Sequence, residues 1–144
     1  MPRDANLILD AGETVIANGD TTAIDTEGGF LAWVFAIMGA MSGADTTCDI
    51  YVQASPDGGS NYYMIGKFQQ LGPTNDDAEM RIPVYIPRPS TGQTVTKVRL
   101  HKVVAGVAPS YVVEKVFVEP MLSIAPPAID ENLRTGAVCL LAAT

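Results

Sequence analysis

The chain has 144 residues, 47% of them apolar, with sixteen acidic side chains against nine basic ones and a formal charge of −7. That length and apolar content suit one globular domain with its own core and exclude an intrinsically disordered chain. The basic residues are scattered singly along an acidic chain, so no nucleic-acid partner is expected.

Ten prolines and thirteen glycines are spread along the sequence, which suits many short strands joined by turns. Residues 1–5 read as a loose start. Residues 6–10 and 13–17 are short apolar runs around Ala11-Gly12 and read as a first pair of strands. Asn18-Gly19-Asp20 is a turn signal, and the β-branched residues of 21–25 suit an edge strand.

Residues 30–41, FLAWVFAIMGAM, carry no polar side chain. Periodicity alone leaves helix and doubly covered strand both open here. The surrounding all-β pattern decides for a strand, with Ala32, Val34 and Ala36 on one face and Leu31, Trp33, Phe35 and Ile37 on the other. At about twelve residues the run falls short of the roughly twenty that a membrane-spanning helix needs. The first ten residues lack the apolar run of a secretory signal, so a soluble protein made inside the cell is expected, with no membrane partner.

Residues 42–45 (SGAD) read as a turn. Residues 48–68 then read as strand, tight turn, strand. Cys48, Ile50, Val52 and Ala54 alternate with Asp49, Tyr51 and Gln53, the period of a half-buried strand. In the turn, Pro56 presets its backbone, Asp57 accepts bonds from nearby N–H groups, and Gly58 and Gly59 tolerate positive φ. The second strand extends to Leu71.

Residues 72–77 form a polar loop. Residues 78–86 put Ala78, Met80, Ile82, Val84 and Ile86 on one face and Glu79, Arg81, Pro83 and Tyr85 on the other. Pro83 cannot donate to a ladder, which marks an edge strand or a bulge. After a turn at 87–92, residues 94–104 read as a strand whose apolar face (Thr96, Val98, Leu100, Val104) has Lys102 as its exception. Residues 105–109 read as a connection and 111–121 as the last strand. The sum is an all-β chain: an antiparallel β-sandwich, jelly-roll-like, of about eight strands over residues 1–123. Residues 124–144 follow as a Pro126-Pro127 linker and an extended C-terminal arm, apolar at Val138, Leu140 and Leu141.

The chemistry of catalysis is missing from the pattern. His101 is the single histidine, which excludes multi-histidine metal sites and makes a Ser-His-Asp triad a poor reading; no phosphate-binding or zinc-protease motif is present. Asn75, Asp76, Asp77 and Glu79 offer oxygen ligands without EF-hand spacing and read as a solvated loop. Cys48 and Cys139 read as free thiols. No cofactor and no enzymatic activity are expected.

Ser55, Asp57, Gly59 and Tyr62 fall on the pattern Ser-x-Asp-x-Gly-x-x-aromatic and resemble a single Asp-box, a structural hairpin turn of sialidase-like propellers. The hairpin of residues 51–63 and the tail from Pro126, on a small acidic sandwich, resemble capsid decoration or cement proteins and other virion structural proteins of tailed bacteriophages. The resemblance implies a protein of the virion, made in the host cytoplasm. It would bind a major capsid protein or another virion protein of an assembled shell, as a homo-oligomer and most often a trimer. Contacts to subunits or shell are expected at Leu31, Trp33, Phe35, Ile37, Val138, Leu140 and Leu141. A carbohydrate-binding or adhesin module is the alternative, with Tyr62, Tyr63 and Tyr85 as rings on which sugars stack.

Overall fold

The computed structural model describes residues 7–121. Their architecture is all-β: β1 (Ile8–Asp10), β2 (Glu13–Val15), β3 (Gly19–Asp20), β4 (Ile24–Thr26), β5 (Phe30–Ser55), β6 (Tyr63–Lys67), β7 (Glu79–Ile86) and β8 (Thr96–Pro120), every pairing antiparallel. Two strands dominate. β5 has 26 residues and β8 has 25, and they pair from Ala32↔Pro120 to Ser55↔Lys97.

This long ribbon bends at its middle, where the register shifts fall between Ile37 and Thr47. Gly43 (φ 112°) and Asp45 (φ 50°) on β5 lie opposite Gly106 (φ 101°) and Ala108 (φ 50°) on β8. Residues 42–45 and 105–109, expected to reverse and connect the chain, are instead the bulged centre of two continuous strands. Ser42↔Ser110 and Ala44↔Val107 still pair there, so the left-handed residues bend the ribbon without ending it. Tyr111 anchors the bend from inside, its hydroxyl 2.7 Å from the Thr46 hydroxyl.

Bending divides one curled sheet into two layers. The first layer holds β7, residues 30–38 of β5, residues 111–120 of β8, and β1 with β2. The second holds β6, residues 48–55 of β5, residues 96–104 of β8, and β3 with β4. Strand periodicity fills the space between them. Ala32, Val34, Ala36 and Met38 from the first layer and Cys48, Ile50, Val52 and Ala54 from the second are all buried in one core. Burial pushes the Cys48 thiol up to about 12, with the neighbouring Asp49 carboxylate adding to the rise, so this cysteine is an inert apolar residue.

The N-terminal runs do not pair with each other. β1 to β4 follow β8 one after another, from Ile8↔Phe117 through Val15↔Tyr111 and Gly19↔Lys102 to Thr26↔Thr96. Ala11-Gly12 is an irregularity in a strap that keeps its direction: the Gly12 amide donates to Asp10 Oδ1 at 2.9 Å. Asn18 likewise receives the Val104 amide at 2.8 Å and holds the strap down, so its turn signal produces no hairpin. Lys102, the charged exception on an apolar face, does point inward and is 3% exposed. Its ammonium bonds Asp10 Oδ2 at 2.9 Å and Glu13 Oε2, which fastens the strap to β8.

Among the described residues β7 pairs only with β5, and Pro83 lies opposite Trp33 in this edge strand. β6 stops at Lys67. Pairing continues past it, with the Phe68 amide on the Ile50 carbonyl at 3.0 Å, and a bridge joins Cys48 and Leu71 further on.

Candidate functional site

Directly paired residues in a sheet project to the same side. The pairs Leu31↔Tyr85, Trp33↔Pro83, Phe35↔Arg81 and Ile37↔Glu79 on one flank, and Trp33↔Glu119, Phe35↔Phe117 and Ile37↔Lys115 on the other, therefore form the outer side of the first layer. At its centre Phe35 and Phe117 stack with ring centroids 5.1 Å apart and planes inclined by 12°. The Arg81 guanidinium lies 4.5 Å from the Trp33 ring centre, and the Lys115 ammonium 5.4 Å from that of Phe117. Leu31 and Tyr85 are about half exposed, at 54% and 49%. The result is a contiguous aromatic and aliphatic face with cations laid over two of its rings.

The outer side of the second layer is built from the same two strands and is chemically different. Asp49, Tyr51 and Gln53 of β5 lie beside His101, Arg99 and Lys97 of β8, with Asp20 and Asp25 from β3 and β4 at the edge. Arg99 packs on the Tyr62 ring at 3.7 Å, donates to Gln53 Oε1 at 2.9 Å, and lies 3.5 Å from Asp20 Oδ2. His101 Nδ1 is 2.6 Å from the other Asp20 oxygen, and Lys97 donates to Asp25 at 2.8 Å, a bond that raises the lysine's proton affinity. Lys67 and Gln70 both engage Asp49. His101, the single histidine, is partly buried in this network.

At the far end of the polar face, the turn after β5 is held by one carboxylate. Ser55 donates its hydroxyl to Asp57 Oδ1 at 2.6 Å and accepts the Gly59 amide at 2.9 Å. The Asn61 backbone amide reaches Asp57 Oδ1 at 2.9 Å, and its side-chain amide reaches Oδ2 at 2.8 Å. The Ser55 bond, followed by the Asn61 bonds, lowers the Asp57 carboxyl to about 2. Gly58 and Gly59 take φ of 80° and 96°, which side chains rarely adopt.

Two open clefts flank the N-terminal strap, of about 230 Å³ beside residues 13–20 and about 380 Å³ beside residues 9–13 and 20–22. Lys102 borders the first, and its ammonium is already held by carboxylates. Among the described residues no group of three or more His, Cys, Asp or Glu side chains is placed to hold a metal. Asp76 accepts the Met41 amide at 2.9 Å and Asn75 the Gly72 amide at 2.7 Å, so this polar loop is tied to backbone.

The structure thus gathers Leu31, Trp33, Phe35 and Ile37 on one surface and puts Asp57, Gly58 and Gly59 in one turn. Val138, Leu140 and Leu141 lie outside the described residues. Sequence reasoning missed Phe117, Arg81 and Tyr85 as members of the apolar face. Each lies at the outward parity of its own strand, but only the pairing of β5 with β7 and β8 brings them beside Trp33. It also missed the Lys102–Asp10–Glu13 cluster, whose one signal was a lysine at an apolar position.

The sequence matches no protein-family model and no curated protein. Among solved structures, the chain is similar to the Clostridium thermocellum endo-1,4-β-D-xylanase 10B fragment of CBM22-1 and GH10 modules complexed with xylohexaose. That likeness has 9% identity and a TM-score of 0.50, covering 87% of this chain and 29% of that one. It is also similar to the CBM22-2 xylan-binding domain of Paenibacillus barcinonensis Xyn10C, with 12% identity and a TM-score of 0.45, covering 83% of this chain and 94% of that one. At these identities the likeness concerns the fold, an antiparallel β-sandwich, and nothing finer.

Proposed function

We propose that this chain is a non-enzymatic structural protein of a virion, most simply a decoration or cement subunit, which docks on other protein through the outer face of its first layer. The observation that carries the docking role is the contiguous row of Leu31, Trp33, Phe35 and Ile37, continued by Phe117 and Tyr85. Leu31 and Tyr85 are exposed and the rest of the row is partly buried; apolar surface left open to water favours association, and aromatic rings beside arginine are the usual composition of a buried interface centre. The partner's class, an assembled phage shell, comes from the sequence resemblance alone. The test is co-sedimentation of the full chain with shells assembled from the major capsid protein of the same genome. Wild type is expected in the pellet at saturating stoichiometry and a Leu31→Glu variant in the supernatant; wild type left in the supernatant refutes the reading.

A second reading, a carbohydrate-binding module, is favoured by one observation: Tyr51 and Tyr62 lie among Gln53, Arg99 and His101, rings beside hydrogen-bonding groups. The same geometry weakens it, because the Tyr62 ring is stacked by Arg99 and the polar groups are satisfied by one another. Saturable retention on a polysaccharide column, lost in Tyr51→Ala, selects this reading over the first.

A further inference from the structure

Lys102 is a buried amine held against two carboxylates, and charge balance asks for only one of them. Its ammonium donates to Asp10 Oδ2 at 2.9 Å and to Glu13 Oε2. The three groups come from different layers. Lys102 lies on the second-layer half of β8, opposite Ile50, whereas Asp10 and Glu13 lie on β1 and β2, which pair with the first-layer half. The two carboxylates are not equivalent. The Asp10 side chain is 6% exposed beside a lysine side chain that is 4% exposed, whereas that of Glu13 is 41% exposed. The Asp10 carboxyl also has a backbone donor on its other oxygen, the Gly12 amide, 2.9 Å from Oδ1. A nucleophile, a sheltered carboxyl polarised from its far side, and a second carboxylate open to solvent are the parts of an acyl-transfer site.

From this geometry we infer that Lys102 and Asp10 condense into an intramolecular isopeptide bond, with Glu13 as the proton carrier. Nζ attacks the Asp10 carboxyl carbon; the Nζ–Cγ bond forms and the Cγ–Oδ2 bond breaks. Two protons leave Nζ through the Glu13 carboxylate and depart with Oδ2 as one water. The balance is an ammonium and a carboxylate giving an amide and water, so no oxidant, cofactor or second substrate is required. The Gly12 amide stays on Oδ1, where negative charge collects in the tetrahedral intermediate. Glu13 borders both clefts beside the strap, Lys102 the smaller and Asp10 the larger, so the water has a way out. Fixed contact between amine and carboxyl supplies an effective concentration of up to ~10⁵–10⁸ M, and burial keeps bulk water from reversing the step. Until the bond closes, the three groups are an ion-paired cluster. Once closed, it joins positions 92 residues apart and ties the strap to the second layer covalently. The inference stands apart from the docking reading of the first layer.

The experiment follows the intact mass of the full chain with time after folding, by mass spectrometry of the denatured protein. Wild type is expected to lose one water, about 18 Da, from its 15.2 kDa. Trypsin is then expected to pass over Lys102 and to release residues 4–67 joined to residues 100–115, with fragmentation placing the link on Asp10. Lys102→Arg keeps the cation but cannot form this amide, and is expected to retain the full mass. Glu13→Gln is expected to lose the water at least about a hundredfold more slowly, with the circular dichroism of the β-sheet unchanged. Wild type that keeps its full mass on prolonged incubation overturns the inference and leaves Lys102 as an ion-pair partner alone. A loss of water that persists in Lys102→Arg marks dehydration elsewhere, such as an imide at Asp57-Gly58, and overturns it as well. A link from Lys102 to Glu13 overturns the roles given to the two carboxylates, and a wild-type rate in Glu13→Gln removes Glu13 as the carrier. The joined peptide from wild type decides the matter whether or not a variant folds.

Discussion

β5 and β8 each contribute to both layers, yet the two outer faces they produce differ in kind. On the second layer nearly every polar side chain has found another: Arg99 serves Tyr62, Gln53 and Asp20, and Lys97 serves Asp25. On the first layer the outward positions hold Leu31, Trp33, Phe35 and Ile37; Arg81 and Lys115 lie over two of the rings, Trp33, Phe35 and Ile37 are partly buried, and Leu31 and Tyr85 stay exposed. A face whose groups satisfy one another gains little from a partner. A face with exposed apolar surface gains from any partner that excludes water from it. This contrast supports the docking proposal for the first layer, on the residues Leu31, Trp33, Phe35 and Ile37 that the sequence had already singled out.

The contrast depends on the shared interior, and the largest expected effect comes from disturbing it there. Lys102 lies behind the polar face, inside the core, with Asp10 equally buried against it. Lys102→Ala leaves the Asp10 carboxylate buried without its cation, and a cost of about 3–5 kcal/mol is expected in urea unfolding. The double variant Lys102→Met/Asp10→Leu, which removes both buried charges, is expected to recover most of that loss. A single variant within about 1 kcal/mol of wild type means that the strap of β1 to β4 is not fastened by this cluster.

Next in size is the bend that separates the faces. A Cβ on Gly106 would lie 2.6 Å from the Asp45 carbonyl oxygen and 2.7 Å from Thr46 Cα, at a φ of 101°. Backbone cannot move aside as a side-chain tip can, so Gly106→Val is expected to cost about 2–3 kcal/mol, measured as a lower urea midpoint. An unchanged midpoint means that the ribbon need not bend here.

The faces are compared most directly through their arginines. Arg99 is three-quarters buried and has three partners, so Arg99→Ala is expected to cost about 1 kcal/mol. Arg81 is exposed and lies over Trp33, so Arg81→Ala is expected to change stability by no more than about 0.5 kcal/mol. The reverse ranking in paired thermal melts removes the distinction between a self-satisfied face and an open one.

How much of this was legible in the sequence follows from the range of each signal. The alternation of Ala32, Val34 and Ala36 with Leu31, Trp33 and Phe35 is local, and it correctly separated inner from outer residues along β5. The edge position of β7 was readable from Pro83, because a missing N–H is a property of one residue. The bend was misread as a turn at 42–45 and a connection at 105–109, since Gly43 and Gly106 permit reversal and bending equally well. Only the persistence of pairing across them, Ala44↔Val107, decides between the two. The partnership of Lys102 with Asp10 and Glu13 spans some ninety positions of chain, a separation no local pattern encodes.

The smallest expected effect lies at the tip beyond the polar face, where it separates a structural carboxylate from a binding one. Asp57 accepts three bonds from Ser55 and Asn61, which lower its pKa from 3.8 to about 2. A carboxyl whose folded pKa lies below its unfolded value stabilises the fold above the unfolded pKa and loses that contribution as pH falls through the folded one. The turn's contribution is therefore complete well above pH 3.8 and is lost progressively as pH falls from there through about pH 2. Asp57→Asn holds no titrating group, and its amide nitrogen cannot accept the Asn61 side-chain donor. The thermal midpoints of wild type and Asp57→Asn should consequently differ at neutral pH and converge through that acid window. A constant offset down to pH 2 would mean that the variant acts through shape and that the carboxylate's charge does not hold the turn. Because the residue is at a solvent-exposed tip, the effect should remain local: Trp33 emission, which reports the opposite end of the ribbon, is expected to be the same in both proteins across the titration.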